Sequence, residues 1–345
     1  MTPDWSMSRE IEEQPDLFER RLDDWVAQAD ELSDHVGNCD QIALLGRGSS
    51  RNACVYASYL YALQTGNHPI EFRLWTTTQD QVPDRDWSNV AVLAFSASGQ
   101  STDVARAARW LADRGAFVVG ITNATDDDCA LGEAAHELFY VRVGDERAVP
   151  ATKSFNAQLF ASAALVGFDI RDAVAETIKC FEKLSDDDTA GRLADLVGDG
   201  RAINWIARGP SLGAARDAAL KCRECARISS TGWSSAEFQH GYIGSLDPDD
   251  RAIIFSDANQ PAGTFSAITK ELLSRQTPFA VTGLDYYREH DGIPAPALAI
   301  DLPSQRWARA PVFAYLSQKT ALELAVRRDL NPDNPSGLQK VTETT

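Results

Sequence analysis

This sequence predicts an α/β fold, parallel sheets covered by helices on both faces, and three observations predict it. From Asp40 onward, short apolar runs of strand length alternate with stretches of helical spacing. Two of those runs end in turns of Gly and Ser, at residues 46–50 and 96–101. The pattern then returns about 160 residues later, which points to two copies of one unit.

Residues 8–36 read as helix, with Ile11, Leu17, Phe18, Leu22, Trp25 and Leu32 at helical intervals. Strands are expected at 42–45, 71–75, 91–95, 117–121 and 138–141, with the clearest helices at 52–65 and 102–114. Residues 156–198 look helical again, interrupted by the polar turn Ser185-Asp186-Asp187-Asp188, which reads as a linker. In the second copy, Ile206-Ala207-Arg208-Gly209-Pro210-Ser211, within the segment 203–211, echoes Leu45-Gly46-Arg47-Gly48-Ser49-Ser50, within 43–50. Ile253-Ile254-Phe255-Ser256 echoes Leu93-Ala94-Phe95-Ser96, and Phe279-Ala280-Val281 echoes Phe117-Val118-Val119. Asp257, Ala258 and Asn259 stand where the first copy has Ala97, Ser98 and Gly99, and a carboxylate there would oppose a phosphate. One copy is therefore expected to bind an anion and the other to supply different chemistry. The expected division is a helical segment at 1–38, α/β domains at 39–184 and 190–330, and a tail at 331–345. Pro332, Pro335 and Gly337 make that tail extended, with Leu338 and Val341 able to anchor Lys340 in a cleft.

At 345 residues the length suits two domains. A net charge of −17 repels nucleic acid and anionic membranes, so neither is expected as a partner. An anionic ligand must then find a site made positive locally. The six cysteines are scattered, and neither a secretory leader nor an apolar run of about 18 residues is evident, so reduced thiols in a cytoplasmic protein are expected. Cys222 and Cys225 lie in a helical stretch with no second pair and no nearby His, which suits packed thiols better than a metal or redox site.

The two turns carry the first functional signal. Backbone N–H groups at a helix start, Ser hydroxyls and Gly together make an anion site, and Ser49, Ser50, Ser96, Ser98 and Ser101 repeat that device twice. A phosphorylated small molecule is the first ligand to consider. Gly46-x-Gly48-x-x-Arg51 is no dinucleotide fingerprint, because close helix–strand packing needs Gly or Ala at its sixth position. No Gly-x4-Gly-Lys-Ser/Thr motif occurs, and no metal or cofactor is expected. Lys221 and Glu224 stand three apart on one helical face, which by itself reads first as a surface ion pair. His240 precedes Gly241, where backbone can approach a ligand; His35, His68, His136 and His290 are less suggestive.

These residues match a known family. The chain resembles the double sugar isomerase (SIS) proteins, namely the isomerase half of glutamine–fructose-6-phosphate aminotransferases and stand-alone glucosamine-6-phosphate deaminases. The resemblance rests on blocks that begin with Met7-Ser8-Arg9-Glu10-Ile11-Glu12-Glu13-Gln14-Pro15 and include both serine turns. It continues through Val149-Pro150-Ala151-Thr152-Lys153-Ser154-Phe155, Ala219-Leu220-Lys221-Cys222-Arg223-Glu224, Glu237-Phe238-Gln239-His240-Gly241 and Leu338-Gln339-Lys340-Val341-Thr342. It implies two tandem SIS domains, with Ser49, Ser50, Ser96, Ser98 and Ser101 holding a sugar phosphate. It implies Glu224 as the base between C1 and C2, Lys221 as a stabiliser of the enediol-like intermediate, and His240 as the ring-opening group reaching in from a partner subunit. Lys340 is implied as the amine that forms a Schiff base with the open-chain ketose. Ala97 departs from the Gln of the aminotransferases, which removes one ligand contact. The glutaminase part and its Cys are not matched, residue 2 being Thr, so glutamine-dependent amination is not expected of this sequence alone.

The chemistry asks for these groups. Ring opening wants a proton shuttle near neutral pH, proton transfer between adjacent carbons wants one carboxylate reaching both, and exchange of nitrogen for oxygen wants an amine that makes an imine. The expected reaction is glucosamine 6-phosphate plus water to fructose 6-phosphate plus ammonia, in a homodimer with a shared site. Galactosamine-6-phosphate deaminase and fructosamine-6-phosphate deglycase are the alternatives, and a non-catalytic sugar-phosphate sensor is the alternative outside the enzymes.

Overall fold

The computed structural model describes residues 4–79, 82, 84–256, 265–283 and 297–340. The readings placed on Asp257, Ala258, Asn259, His290 and Val341 lie outside the described residues. The chain divides into two compact units that are not continuous stretches. One comprises Asp16–Glu146, Lys153–Val174 and Leu338–Thr345; the other comprises Met1–Pro15, Arg147–Thr152 and Ala175–Gly337. The chain passes from one unit to the other inside the helix Arg171–Asp186, ahead of the polar turn at 185–188. The segment carrying Lys340 belongs to the unit of the first sheet.

The expected first helix is two, α1 (Ser6–Glu12) and α2 (Gln14–Gly37). Pro15 has no N–H to give a carbonyl one turn back, so it opens a new helix in place of continuing the old one. The first sheet, among the described residues, has the order β1 (Gln41–Leu45), β2 (Val90–Phe95), β3 (Phe117–Thr122), β4 (Glu137–Tyr140), all parallel. Its strands are apolar on both faces, as a sheet covered on both sides requires. The covering helices in this unit include α3 (Gly48–Thr65), α4 (Thr102–Ala112), the short α5 (Ala130–Ala134) and the wholly buried α6 (Lys153–Leu165).

The strand expected at 71–75 is not formed. Ile70 makes a single parallel bridge to Ala43, and Leu74–Thr78 is a 3-10 turn. The Thr77 and Thr78 hydroxyls donate to the carbonyls of Leu74 and Trp75, at 2.9 and 2.7 Å, and so fold the segment back on itself. The apolar residues of 71–75 are only partly inward, since Phe72 and Leu74 are buried and Trp75 is exposed.

Helix α7 (Arg171–Asp186) leads into the second unit, which continues with α8 (Thr189–Val197), β5 (Ala202–Ala207), α9 (Ser211–Ala226), β6 (Ser229–Ser234) and α10 (Ser235–Gln239). It is completed by β7 (Asp250–Phe255), α11 (Ser266–Ser274), β8 (Phe279–Thr282), β9 (Ala297–Leu298) and α12 (Arg309–Arg327). Its sheet, in the order β6-β5-β7-β8-β9, is again all parallel. The chain leaves β5 to one side for β6 and returns to the other side for β7, just as it leaves β1 for Ile70 and returns for β2. The internal repeat read from the sequence is thus a repeat of topology.

Helix α9, which carries Lys221 and Glu224, packs against β6 at Gly232. A Cβ there would sit 2.5 Å from Arg216 Cα and 2.6 Å from Ala215 O, both backbone atoms that cannot move aside. Gly232→Ala is therefore expected to lose about 1–3 kcal/mol in urea unfolding. Gly244→Ala, where nothing lies within 4 Å, is the control and should shift the midpoint little.

Candidate active site

Parallel pairing of β1 with β2, Leu45 opposite Ala94, brings the two serine turns together at one sheet edge. Each turn runs into a helix whose N-cap residue, Arg47 for α3 and Ser101 for α4, makes no side-chain cap. Neither N-cap side chain takes up a first-turn N–H group, the donors that an anion at a helix start would use. Gly48 and Gly99 take φ of +53° and +71°, backbone that disfavours any side chain. At Gly99 a Cβ would also meet Cys129 Sγ at 2.7 Å. Of the five serines, Ser50 and Ser96 are buried and Ser49, Ser98 and Ser101 half-buried. Ser50 Oγ donates to Gln158 Oε1 at 3.2 Å, Ser98 Oγ accepts from Gln100 N at 3.2 Å, and Ser101 Oγ donates to Asp103 Oδ1 at 3.3 Å. Buried Asp103 also accepts from Arg47 Nε at 2.6 Å. That pair ties the two turns to each other and neutralises a carboxylate that would otherwise oppose an anion.

A cleft of about 680 Å³ opens beside the second turn, lined among others by Ala97, Ser98, Gln100, Asn123, Glu146 and Lys340. Lys340 Nζ donates to Glu146 Oε2 at 2.8 Å. Glu146 is buried at the start of α6 and accepts from Ser154 N at 3.0 Å and Ser154 Oγ at 2.7 Å. Burial alone would push the Glu146 carboxyl up; the Lys340 charge and these hydrogen bonds outweigh it and hold the group below its ordinary value of 4.5. The amine from the chain's last residues and the second serine turn therefore share one cavity.

In the other unit Lys221 and Glu224 form an ion pair, Nζ to Oε2 at 2.8 Å. The lysine is fully buried and the glutamate side chain is 19% exposed, so the bland reading of a surface pair does not hold. Burial by itself would lower the Lys221 ammonium; Asp217 and Glu224 overcome it and raise it, which keeps the amine charged. Asp217, one turn before Lys221, is buried with its Oδ2 lacking a hydrogen-bond partner. The result is a buried cation with one flanking carboxylate, Glu224, open to solvent, an arrangement suited to proton transfer beside a stabilised negative charge.

His240 follows α10 at the surface, its N–H donating to Glu237 O at 3.0 Å, and no hydrogen bond joins its ring to Lys221 or Glu224. Other histidines are structural: His35 and His136 stack on Phe117 at 4.7 and 5.3 Å, and His136 Nδ1 accepts from Val118 N at 3.0 Å. Cys222 and Cys225 are buried on α9, Cys222 pushed up to about 12 by burial and Cys225 pushed up as well, which is the character of packed, unreactive thiols. Among the described residues no group of three or more His, Cys, Asp or Glu is placed to hold a metal ion. No described helix is long and apolar enough to cross a membrane.

Residues 36–167, which contain both serine turns, match the model of the SIS domain. The chain is similar there to SIS domains. Along 97% of its length it is 26% identical, over 365 aligned residues, to the isomerizing glutamine–fructose-6-phosphate aminotransferase of Tropheryma whipplei. It spans 58% of that relative, little more than half. The fold is shared with the C-terminal domain of glucosamine-fructose-6-phosphate aminotransferase from Francisella tularensis, at TM-score 0.81 and 18% identity over 96% of this chain and 98% of that one. It is shared too with glucosamine-6-phosphate deaminase from Thermotoga maritima, at TM-score 0.79 and 18% identity over 98% and 100% of the two chains.

The sequence reading missed Arg47, Asp103, Glu146 and Asp217. Asp217 alone left a signal, an acid four residues before Lys221 and so on the same helical face. The other three act across turns distant in sequence, where no periodicity reports them. Because the Glu146 carboxyl is depressed in the fold, the stability it contributes is complete above the ordinary value of 4.5 and is lost as pH falls through the lower folded value. Urea midpoints of the wild type should therefore fall on acidification below about pH 4.5 more steeply than those of Glu146→Gln.

Proposed function

We propose that this protein deaminates glucosamine 6-phosphate, yielding fructose 6-phosphate and ammonia with the consumption of one water. The observation that carries the reading is the presence of Lys340 and the second serine turn in one cleft, an amine beside an anion site. The serine turns would hold the phosphate, with charge-assisted hydrogen bonds of about 1.5–3 kcal/mol each from uncapped amides and hydroxyls. His240 would open the pyranose ring by moving the C1 hydroxyl proton toward the ring oxygen. Glu224 would take the proton from C2 and return it to C1, which leaves an imine at C2, while the Lys221 ammonium offsets the charge developed between. Lys340 would attack C2 and expel ammonia, and water would then release the ketose and restore the lysine. As an ion pair Lys340 is no nucleophile, so its proton must first leave, and Glu146 at 2.8 Å is the neighbouring acceptor.

The relatives support the class of substrate: by name one is an isomerizing fructose-6-phosphate aminotransferase and another a glucosamine-6-phosphate deaminase. With Ala97 in the cleft the site has one polar side chain fewer than the glutamine-bearing aminotransferase pattern. We further propose a homodimer in which His240, exposed in the single chain, serves the partner's site.

The test is ammonia release from glucosamine, galactosamine and fructosamine 6-phosphates. Turnover is expected to be fastest with glucosamine 6-phosphate, and Glu224→Gln should lower kcat by about 10²–10⁴-fold with phosphate affinity retained. Binding without turnover of any of the three would instead identify a sugar-phosphate sensor. Mixing inactive His240→Ala and Lys340→Ala chains should restore part of the activity if subunits exchange residues; a mixture as inactive as its parts would exclude a shared site.

A further inference from the structure

We infer that Arg21 is a further ligand-binding residue of the cleft, its guanidinium taking an oxyanion of the substrate. The inference rests on reading this cleft as the sugar-phosphate site, and concerns a residue outside the serine turns.

Arg21 lies on α2 among positions that face the core. Leu17, Phe18 and Trp25, four and three residues before it and four after, are all buried. An apolar residue is what the helical stripe calls for at 21, and an arginine stands there instead. It lines the same cleft as Ser98, Gln100 and Lys340. The helix that carries it is held rigidly there: Trp25 Nε1 donates to Val141 O at 2.9 Å, and Gln28 pairs with Tyr140 through N–H to Oε1 at 2.8 Å and Nε2 to carbonyl at 3.1 Å.

The other cations of the cleft are matched. Arg142 holds Asp24 at 3.0 Å, and Lys340 holds Glu146 at 2.8 Å. Arg21 Nε is buried with no acceptor, and the residue makes no ion pair among the described residues. Four acids line the cleft, Asp126, Asp128, Asp145 and Glu146, and none of them pairs with it. A buried donor left unmade is costly, and in a chain of net charge −17 a cation spared its many acids points to an anion that arrives from outside. The planar fork of donors fits two oxygens of one phosphate or carboxylate. The oxyanion is either the substrate's own phosphate or a carboxylate carried on its amine nitrogen.

Titration calorimetry separates these sources without requiring turnover. The two probes are glucosamine 6-phosphate and fructosamine 6-phosphate bearing an N-carboxymethyl group, each measured with wild type, Arg21→Met and Arg21→Lys. Arg21→Met should weaken binding about tenfold or more, and Arg21→Lys should recover part of it. An equal loss for both probes assigns the phosphate; a loss confined to the second assigns the carboxylate. Wild-type affinity for both probes in Arg21→Met overturns the inference and leaves the proposed function standing. Failure of the wild type to bind either probe removes the proposed function and the inference together. Should the variants not fold, phenylglyoxal modification of Arg21 in the wild type decides, read by mass spectrometry. Protection by either probe supports the role, and an unchanged rate in the presence of both overturns it.

Discussion

The parallel pairing of β1 with β2 is the constraint on which the meeting of the two serine turns depends. Parallel neighbours end on the same edge of the sheet, so the turns that follow them are obliged to meet. Both turns continue into helices whose caps make no use of the first amides. Glycines at positive φ let the backbone expose those amides, and serines extend the donor set. The geometry follows the topological rule for open α/β sheets, in which ligands sit at the carboxyl ends of strands where the chain reverses its lateral direction. Here that reversal lies between β1 and β2, because the chain has first gone to Ile70 on the far side of β1.

Charge is managed locally throughout. A strongly acidic chain offers an anionic ligand no long-range attraction, and each functional cation is set against a buried or half-buried carboxylate: Arg47 on Asp103, Lys340 on Glu146, Lys221 on Glu224 with Asp217 behind it. Such pairing keeps a cation affordable in low dielectric and fixes where it points. It also explains why Arg21 stands out, since it is placed like the others and lacks their partner.

The two units repeat one topology and differ in what they hold. In the first, the turns after β1 and β2 carry serines and the segment with Lys340 brings an amine to their cleft; in the second, helix α9 carries a buried ammonium with one accessible acid.

The sequence by itself determined the α/β class, the internal repeat, the two serine turns and the placing of Lys221 and Glu224 on one helical face, because these are properties of neighbouring residues. Strand length, helical spacing and turn composition are local, and a three-residue separation on a helix places two side chains on one face whatever surrounds them. It misread residues 71–75 because an apolar run of strand length reports burial and not a ladder, and threonine hydroxyls folded the following segment into a turn. Tertiary structure alone decided that Glu146 meets Lys340 across 194 positions of chain and Asp103 meets Arg47 across 56. It also decided that Lys221 of the Lys221–Glu224 pair is fully buried while Glu224 stays partly exposed. Burial and long-range pairing depend on what the rest of the chain packs against a residue, and no local pattern encodes that.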